Sequence, residues 1–419
     1  AALTHRSAVI GIGSTELVAR LRMLARDEPT AGVVHGTTPS GRRGGRGAVF
    51  VFPGQGTRRP GMAAELLASF PVFADQLAAC DDVLTPLTGW SARDVLTDAP
   101  GAPSMDDHAV KQPVTWAVMV SLAALWRAAG VHPAAVVGHS LGELAAACVA
   151  GTLSLAEGAR VATIRGQLTE QLRGQGGLVA VELPADVVRE RLHQWDGKLE
   201  IGAINSPTSV AVSGDHDALT ELQQAWAGHT RLREITEAGY PSHSPAMEQL
   251  RQPLADRLGT VAFEPGTAAW YSTVTGEPVD PATLTGEYWY DNLRQPVDFH
   301  GAITALCRDG YTNFIEISAH PVLLADVRDT TEEASVTPLA VGTLRGGEGG
   351  PRSFLTSAAQ WHTGGGQLDW TTLLPGATRV DLPTYPFQHE SYWLDGRTAR
   401  TATAAIQPAP RVQALVRHA

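Results

Sequence analysis

The chain has 419 residues, 43% of them apolar, so it is long enough to bury the core of one large domain with additions. Its formal net charge of −11 argues against nonspecific binding to nucleic acid or to an anionic membrane. The three cysteines lie far apart without a CxxC pair, so we expect a cytoplasmic protein with neither a disulfide framework nor a metal site.

The first 46 residues predict a small α/β unit. The stretch THRSAVIGIGSTELVARLRMLARDEPTAGVVHG alternates strand, helix and strand, and TTPSGRRGGRG then breaks the pattern with turn formers and positive charge. The start lacks a signal-peptide pattern, and no apolar run approaches the roughly 20 residues of a membrane span. We expect this break to be a linker and residues 1–46 to form a small unit of their own.

Buried strands and helices alternate after this linker. AVFVFPGQG is a strand that ends in a glycine loop, QPVTWAVMVSLAALWRAAG is a helix, and PAAVVGHS is a second strand. Continuous apolar strands between helices predict a parallel sheet covered on both faces, which is the α/β class. We expect residues 47–176 and 238–346 to form a large subdomain similar to the α/β-hydrolases.

The pattern of predicted strands and helices changes at Gly177. Residues 177–237 are read as strand, helix, strand, strand, helix and strand, the chain order of a ferredoxin-like unit. We therefore predict a small subdomain inserted into the large one. Beyond Gly346 come glycine and proline stretches and a tryptophan-bearing segment, and residues 396–419 predict a mobile tail.

The segment GHSLG places Ser140 between Gly138 and Gly142, at a turn from strand to helix. Glycines at these two positions permit a sharp turn that exposes a nucleophilic serine, and the following helix points free N–H groups at an oxyanion. Leu141 and Gln55, in the loop FPGQG, are the candidate oxyanion donors. The alternative is an ordinary strand-turn-helix connection with an incidental serine.

A serine nucleophile needs a base, and the sequence has fourteen histidines. His243, in YPSHSPAM, follows the predicted insertion and so lies along the cleft between the subdomains. His139 adjoins Ser140 and therefore points the wrong way, whereas His320 follows a strand and is the main rival. No acid stands at the place expected for a triad, so a backbone carbonyl can orient the imidazole instead.

Arg165 falls inside an apolar stripe. Its helix turns one face inward through Val161, Ile164, Leu168 and Leu172, and Arg165 lies on that face rather than opposite it. The side chain either forms a structural ion pair or grips a substrate carboxylate in two parallel hydrogen bonds. Beside a nucleophilic serine, the second interpretation predicts a dicarboxylic half-ester or half-thioester as substrate.

These segments together resemble the acyltransferase domain of modular type I polyketide synthases. The resemblance covers nearly the whole chain, in order, and rests on FVFPGQG, QPVTWAVMVSLAALW, VVGHSLGELAAACVAGTLSL, ARVATIRGQL, YPSHSPAM, YWYDNLRQPVDF and LPTYPFQHESYWL. It implies that residues 1–46 are part of a ketosynthase-to-acyltransferase linker, truncated at its start. The last motif resembles the linker that follows such domains, which implies that residues 347–395 form this second linker.

The resemblance assigns a role to each candidate residue. It implies Ser140 as acyl acceptor, His243 as base, Arg165 as ligand of the extender carboxylate, and Gln55 with Leu141 as oxyanion donors. Asn292 is expected to hold the histidine through its main-chain carbonyl, and Gln112 matches a glutamine near the family's active site.

The resemblance also implies a ping-pong reaction. The serine takes a carboxyacyl group from coenzyme A and passes it to the phosphopantetheine thiol of an acyl carrier protein. No cofactor is bound in this scheme, since coenzyme A arrives with the substrate and phosphopantetheine with the carrier. The expected partners are that carrier protein and the adjoining ketosynthase.

The segment YPSH bears on which extender unit is selected. The family tends to have HAFH for malonyl and YASH for methylmalonyl groups, so Tyr240 and Ser242 favour methylmalonyl. Pro241 departs from the usual alanine, Leu141 from the glutamine common in methylmalonyl domains, and HAVKQP fits neither class. Malonyl, larger alkylmalonyl and carrier-bound units stay open, as do a serine hydrolase or thioesterase and a module that has lost catalysis.

Overall fold

The computed structural model describes most of the chain. The described residues are 4–38, 46–55, 62–195, 197–236, 239–345, 350–374, 376–378 and 381. The predicted tail and the motif LPTYPFQHESYWL lie outside them.

The strands are β1 (His5–Val9), β2 (Val33–Thr37), β3 (Ala48–Phe52), β4 (Pro133–Gly138), β5 (Gly177–Val181), β6 (Leu199–Ser206), β7 (Ser209–Gly214), β8 (Leu232–Glu234), β9 (Ala269–Tyr271), β10 (Val297–Asp298), β11 (Asn313–Glu316) and β12 (Leu339–Gly342). The helices are α1 (Gly13–Ala25), α2 (Met62–Ser69), α3 (Pro71–Thr88), α4 (Ala92–Leu96), α5 (His108–Ala128), α6 (Gly142–Ala150), α7 (Leu155–Glu170), α8 (Ala185–Leu192), α9 (His216–Trp226), α10 (Arg251–Leu258), α11 (Tyr288–Arg294), α12 (Phe299–Arg308), α13 (Leu324–Glu333), α14 (Gly350–Thr363) and α15 (Trp370–Leu373). Short 3-10 helices lie at His193–Trp195, Pro245–Leu250 and Pro281–Thr283.

A parallel sheet forms the centre of the larger part. Its strand order is β12-β11-β3-β4-β9, and all its neighbouring strands run parallel. Every residue of β3 is buried, as its unbroken apolar sequence predicts for a strand covered on both faces. The α/β class expected from the sequence is therefore confirmed.

The register of β3 and β4 brings two loops together at the carboxyl edge of this sheet. Phe52 at the end of β3 pairs with Gly138 at the end of β4. A Cβ atom on Gly142 would collide with the Phe52 carbonyl oxygen, so only glycine lets α6 begin directly over β3. The loop with Gln55 and the turn with Ser140 are thus neighbours.

A second sheet has the order β10-β6-β7-β5-β8. Strands β5 to β8 are antiparallel to their neighbours among themselves, while β10 joins the edge parallel to β6. One face packs on α8 and α9, where Trp195 and Trp226 meet edge to face with ring centroids 6.2 Å apart. The other face shares a core with α12, which also packs against β3.

The amino-terminal unit is smaller. Strands β1 and β2 pair antiparallel, and α14 packs on both of them and on α2. Segments from the two ends of the described chain therefore lie together. The domain boundaries given above stay predictions, and β10, from the range assigned to the large subdomain, completes the edge of the small sheet.

The described residues offer neither a membrane-spanning helix nor a cluster of metal ligands. None of their helices is long and apolar enough to cross a membrane. The same residues contain no group of three histidine, cysteine or acidic side chains that could hold a metal ion.

The tight start of α6 makes a stability prediction. Gly142→Ala forces its methyl group against β3, and such overpacking lowers the free energy of unfolding by about 1–3 kcal/mol. The thermal unfolding midpoint should fall accordingly.

Gly177→Ala is the matched control, because the nearest atom to an added Cβ is Leu219 Cδ1 at 3.9 Å. Its effect should stay within about 0.5 kcal/mol. Equal midpoints for the two variants would contradict the close approach of α6 to β3.

Candidate active site

Ser140 lies at the turn between β4 and α6 with a φ of +53°. This left-handed conformation is rare for a residue with a side chain, and it persists only where the surrounding fold enforces it. Here the turn is fixed by hydrogen bonds from His139 N–H to Phe52 O at 2.8 Å and from Gly142 N–H to His139 O at 2.9 Å. The strain presents the serine hydroxyl at the sheet edge, as the GHSLG motif predicts.

The imidazole of His243 contacts this hydroxyl. Its Nε2 lies 2.8 Å from Ser140 Oγ, and its own φ is +58°. The His243 N–H donates to the Leu293 carbonyl at 3.0 Å, which ties the strained segment to α11. The structure thus brings the predicted nucleophile and base into contact, and both are held in strained backbone conformations.

The group that orients the imidazole is not the predicted one. His243 Nδ1–H donates to the carbonyl of Gln295 at 2.8 Å, so the prediction that the Asn292 carbonyl holds it is wrong. Asn292 lies within α11, whereas Gln295 follows the helix end with extended backbone (φ −72°, ψ 153°), which turns its carbonyl toward the ring. This bond leaves Nε2 unprotonated and able to accept the serine proton.

The pKa of His243 is lowered to about 3. Burial is the main cause and the nearby positive charge of Arg165 is the second, while the Gln295 carbonyl acts in the opposite direction. The imidazole is therefore neutral at physiological pH, as a base must be.

Arg165 is 1% exposed on α7, and all four apolar residues of its predicted stripe are also buried. Its Nη2 donates to Ser140 Oγ at 3.0 Å, and its Nη1 donates to Asn292 Oδ1. Its Nε is buried and has no hydrogen-bond partner among the described residues. Burial lowers its pKa, but a guanidinium stays protonated in proteins, so this site holds a desolvated cation next to the nucleophile.

The predicted oxyanion donors lie where the loops after β3 and β4 meet. Leu141 is buried at the start of α6, and Gln55 stands in the neighbouring loop. Gln55 Oε1 is buried and has no hydrogen-bond partner in the described part of the chain. Their role as oxyanion donors remains a prediction.

Polar atoms without partners also surround Tyr240. Gln112 Nε2 donates to Thr169 Oγ1 at 2.9 Å and to the Tyr240 hydroxyl at 3.4 Å. The His108 ring meets Tyr240 edge to face at 4.9 Å. Gln112 Oε1 and His108 Nδ1 are buried without a partner among the described residues, which is typical of a wall that faces a polar ligand or water.

Serine side chains outside the YPSH segment hold its main-chain carbonyl groups in place. Ser213 on β7 donates to the Ser242 carbonyl at 2.6 Å, and Ser244 donates to the Pro241 carbonyl at 2.7 Å. A Cβ on Gly176 would lie 3.0 Å from Pro241 Cβ, so the proline packs where the chain enters the small sheet. The small sheet therefore sets the position of this segment.

A buried carboxyl group supports the turn and was not predicted from the sequence. Glu143 is fully buried and accepts hydrogen bonds from Thr273 N–H at 2.9 Å and from the Tyr288 hydroxyl. Desolvation raises its pKa to about 7. The only feature of the sequence that could have indicated this role is an acidic residue at the start of a helix of otherwise small, apolar residues.

The other histidines lie elsewhere. His139 Nε2–H donates to Asn205 Oδ1 on β6 at 2.9 Å, away from Ser140, as expected. His320 is exposed beyond β11, and His243 occupies the position of the base.

Comparison with known proteins gives concordant matches. The family model described as "Acyl transferase domain" matches residues 49–367. The erythronolide synthase EryA2 of Saccharopolyspora erythraea is 45% identical over 412 residues, covering 97% of this chain and 11% of that protein. The polyketide synthase GfsA of Streptomyces halstedii is 44% identical over 410 residues, covering 97% of this chain and 5% of that protein. The chain thus spans about a tenth or less of these relatives.

A solved structure agrees over most of its length. The acyltransferase domain from module 8 of the salinomycin polyketide synthase is similar with a TM-score of 0.85 and 46% identity. The alignment covers 89% of this chain and 87% of that one.

The low pKa of His243 predicts an unusual pH dependence. Labelling of Ser140 by a neutral fluorophosphonate should change less than about threefold between about pH 8 and about pH 5, since the imidazole stays neutral. A histidine with an ordinary pKa near 6.5 would lose about thirtyfold over the same interval.

Glu143→Gln is the control, because the pKa of Glu143 lies within that interval. A thirtyfold loss in both the wild type and this variant would show that His243 is not held neutral.

Proposed function

The chain belongs to the acyl transferase domain family, among the acyltransferase domains of polyketide synthases, and on that premise we propose that it selects an α-carboxyacyl-CoA extender unit. In this proposal Ser140 takes the acyl group as an ester and delivers it to the phosphopantetheine thiol of an acyl carrier protein. Methylmalonyl-CoA is the proposed donor. The carrier protein and an adjoining ketosynthase are the proposed partners.

One observation carries the substrate class. Arg165 is a buried cation 3.0 Å from the nucleophile oxygen, and no carboxylate of the described residues lies within ion-pair distance of it. The Tyr240 hydroxyl and the more distant Glu143 attract the guanidinium, but neither forms an ion pair with it. A buried charge without an ion-pair partner is costly, so its position is best explained by an anion that arrives with the substrate. A carboxylate on the acyl group would fit the guanidinium in two parallel hydrogen bonds.

The loading step follows from the contacts of Ser140. Its hydroxyl donates to His243 Nε2, so attack on the thioester carbonyl carbon transfers the proton to the imidazole. Leu141 and Gln55 N–H groups then stabilise the oxyanion. The C–S bond breaks, the coenzyme A sulfur takes the proton from His243, and a seryl ester remains.

The transfer step uses the same groups in reverse. His243 removes the proton of the carrier thiol, whose sulfur attacks the ester carbonyl. Collapse of the intermediate breaks the C–O bond and returns the proton to Ser140. Until the carrier arrives, Arg165 holds the carboxylate of the seryl ester in one pose, which favours attack by the thiol over attack by a randomly placed water.

The wall around Tyr240 supports methylmalonyl as the extender. Tyr240 is buried and fixed by Gln112 and His108, and Ser242 supplies only a small side chain at the third position of YPSH. A bulky aromatic there would crowd an α-methyl group. Pro241 is buried next to Gly176, and in this proposal its departure from alanine acts through the backbone.

Arg165→Ala tests the substrate class. It should lower loading of methylmalonyl-CoA or malonyl-CoA by about 30- to 1000-fold, the value of a charge-assisted bidentate contact. Propionyl-CoA lacks the carboxylate, so its loading should stay the same or improve once the buried cation is gone.

The measurement is acyl-enzyme formation by intact mass, expressed as the ratio of the two substrates in each protein so that general damage cancels. Ser140→Ala is the control and should show no mass shift. Equal losses for propionyl and methylmalonyl groups would make Arg165 structural and favour a monocarboxylic starter unit.

A further inference from the structure

The side chain of Asn292 uses every hydrogen-bonding group it has, and all its partners belong to the active site. It is 2% exposed. Its Oδ1 accepts from Arg165 Nη1, and its Nδ2 donates to the Ser140 carbonyl at 3.2 Å. A hydrogen bond from Asn292 also reaches the carboxyl of Glu143, where it opposes the effect of burial on the pKa.

The orientation of this amide is determined by its partners. A guanidinium can only donate, so the amide oxygen must face Arg165. The NH₂ group must then face the two acceptors, the Ser140 carbonyl and the Glu143 carboxyl. Asn292 therefore links α11, α7 and the turn that begins α6 through one planar group.

The same contacts distinguish the two edges of the guanidinium. A carboxylate can pair with Nη1 and Nη2, or with Nε and Nη2. Asn292 already occupies Nη1, whereas Nε is buried and unpartnered among the described residues. An anion on the Nε–Nη2 edge therefore does not compete with Asn292, whereas one on the Nη1–Nη2 edge would share Nη1 with it.

We propose that Asn292 is a positioning residue that holds Nη1 of Arg165, so that the acyl carboxylate binds the Nε–Nη2 edge next to Ser140. This inference rests on the proposed function and adds which edge is used and what fixes it. The carboxylate then shares Nη2 with the serine hydroxyl, which places the thioester carbonyl near the nucleophile. Asn292 selects for carboxylated acyl groups without touching them.

Two variants test this role. Asn292→Leu removes the amide and lets the guanidinium turn, and Asn292→Asp keeps an acceptor for Nη1 but places a competing anion there. In both, the ratio of methylmalonyl-CoA to propionyl-CoA loading should fall by about tenfold or more. For Asn292→Asp the loss should lie mainly in KM for methylmalonyl-CoA, because the added charge competes with ground-state binding.

Tyr290→Phe is the matched control, since it alters another buried residue of α11 whose ring contacts Arg251 on the far side. Its substrate ratio should match the wild type. A residue that only supports folding would slow both substrates equally, so a ratio within about threefold of wild type in both Asn292 variants overturns the proposal. If Asn292→Leu does not fold, the near-isosteric Asn292→Asp decides alone.

The wild-type ratio separates this proposal from the function it rests on. A wild type that loads propionyl-CoA as well as methylmalonyl-CoA contradicts the proposed function itself. A wild type that prefers methylmalonyl-CoA, with variants that keep the preference, contradicts only the role of Asn292.

Discussion

The contact between the Arg165 guanidinium and the Ser140 hydroxyl is the interaction on which the site depends. Burial lowers the pKa of the neighbouring His243, and the Arg165 cation lowers it further, so the base stays neutral. The same cation has a donor left for an anion, because its Nε has no hydrogen-bond partner among the described residues. The same charge thus assists burial in keeping the base neutral and defines the group that the substrate must bring.

Holding these groups together requires a strained scaffold. Ser140 and His243 both have positive φ angles, and each is fixed by main-chain hydrogen bonds to a different element. Strain of this kind costs about 1–3 kcal/mol per residue, which the surrounding packing must offset. The buried sheet edge under α6 and the helix α11 supply that packing. The geometry is therefore built before any substrate binds.

The sequence predicted the parts of the site that depend on side-chain identity in a recognisable local pattern. Ser140 stood between glycines and Arg165 stood within an apolar stripe, so both could be picked out by spacing. The carbonyl that orients His243 could not, since every residue has one and only the end of α11 decides that Gln295 points its own toward the ring. Asn292 was singled out for its backbone, yet its side chain makes the contacts. Long-range contacts such as Glu143 with Thr273 leave almost no trace in a single sequence.

The central claim is that this site transfers a carboxyacyl group and does not simply hydrolyse it. The most direct measurement loads Ser140 with labelled methylmalonyl-CoA, removes free coenzyme A, and follows the label after addition of a phosphopantetheine-bearing carrier protein or of buffer alone. We expect the label to leave Ser140 for the carrier thiol at least about tenfold faster than it appears as free acid in buffer, because the bound thiol is positioned for attack and water is not. Release as free acid at the same rate with and without the carrier would identify a hydrolase and contradict the account.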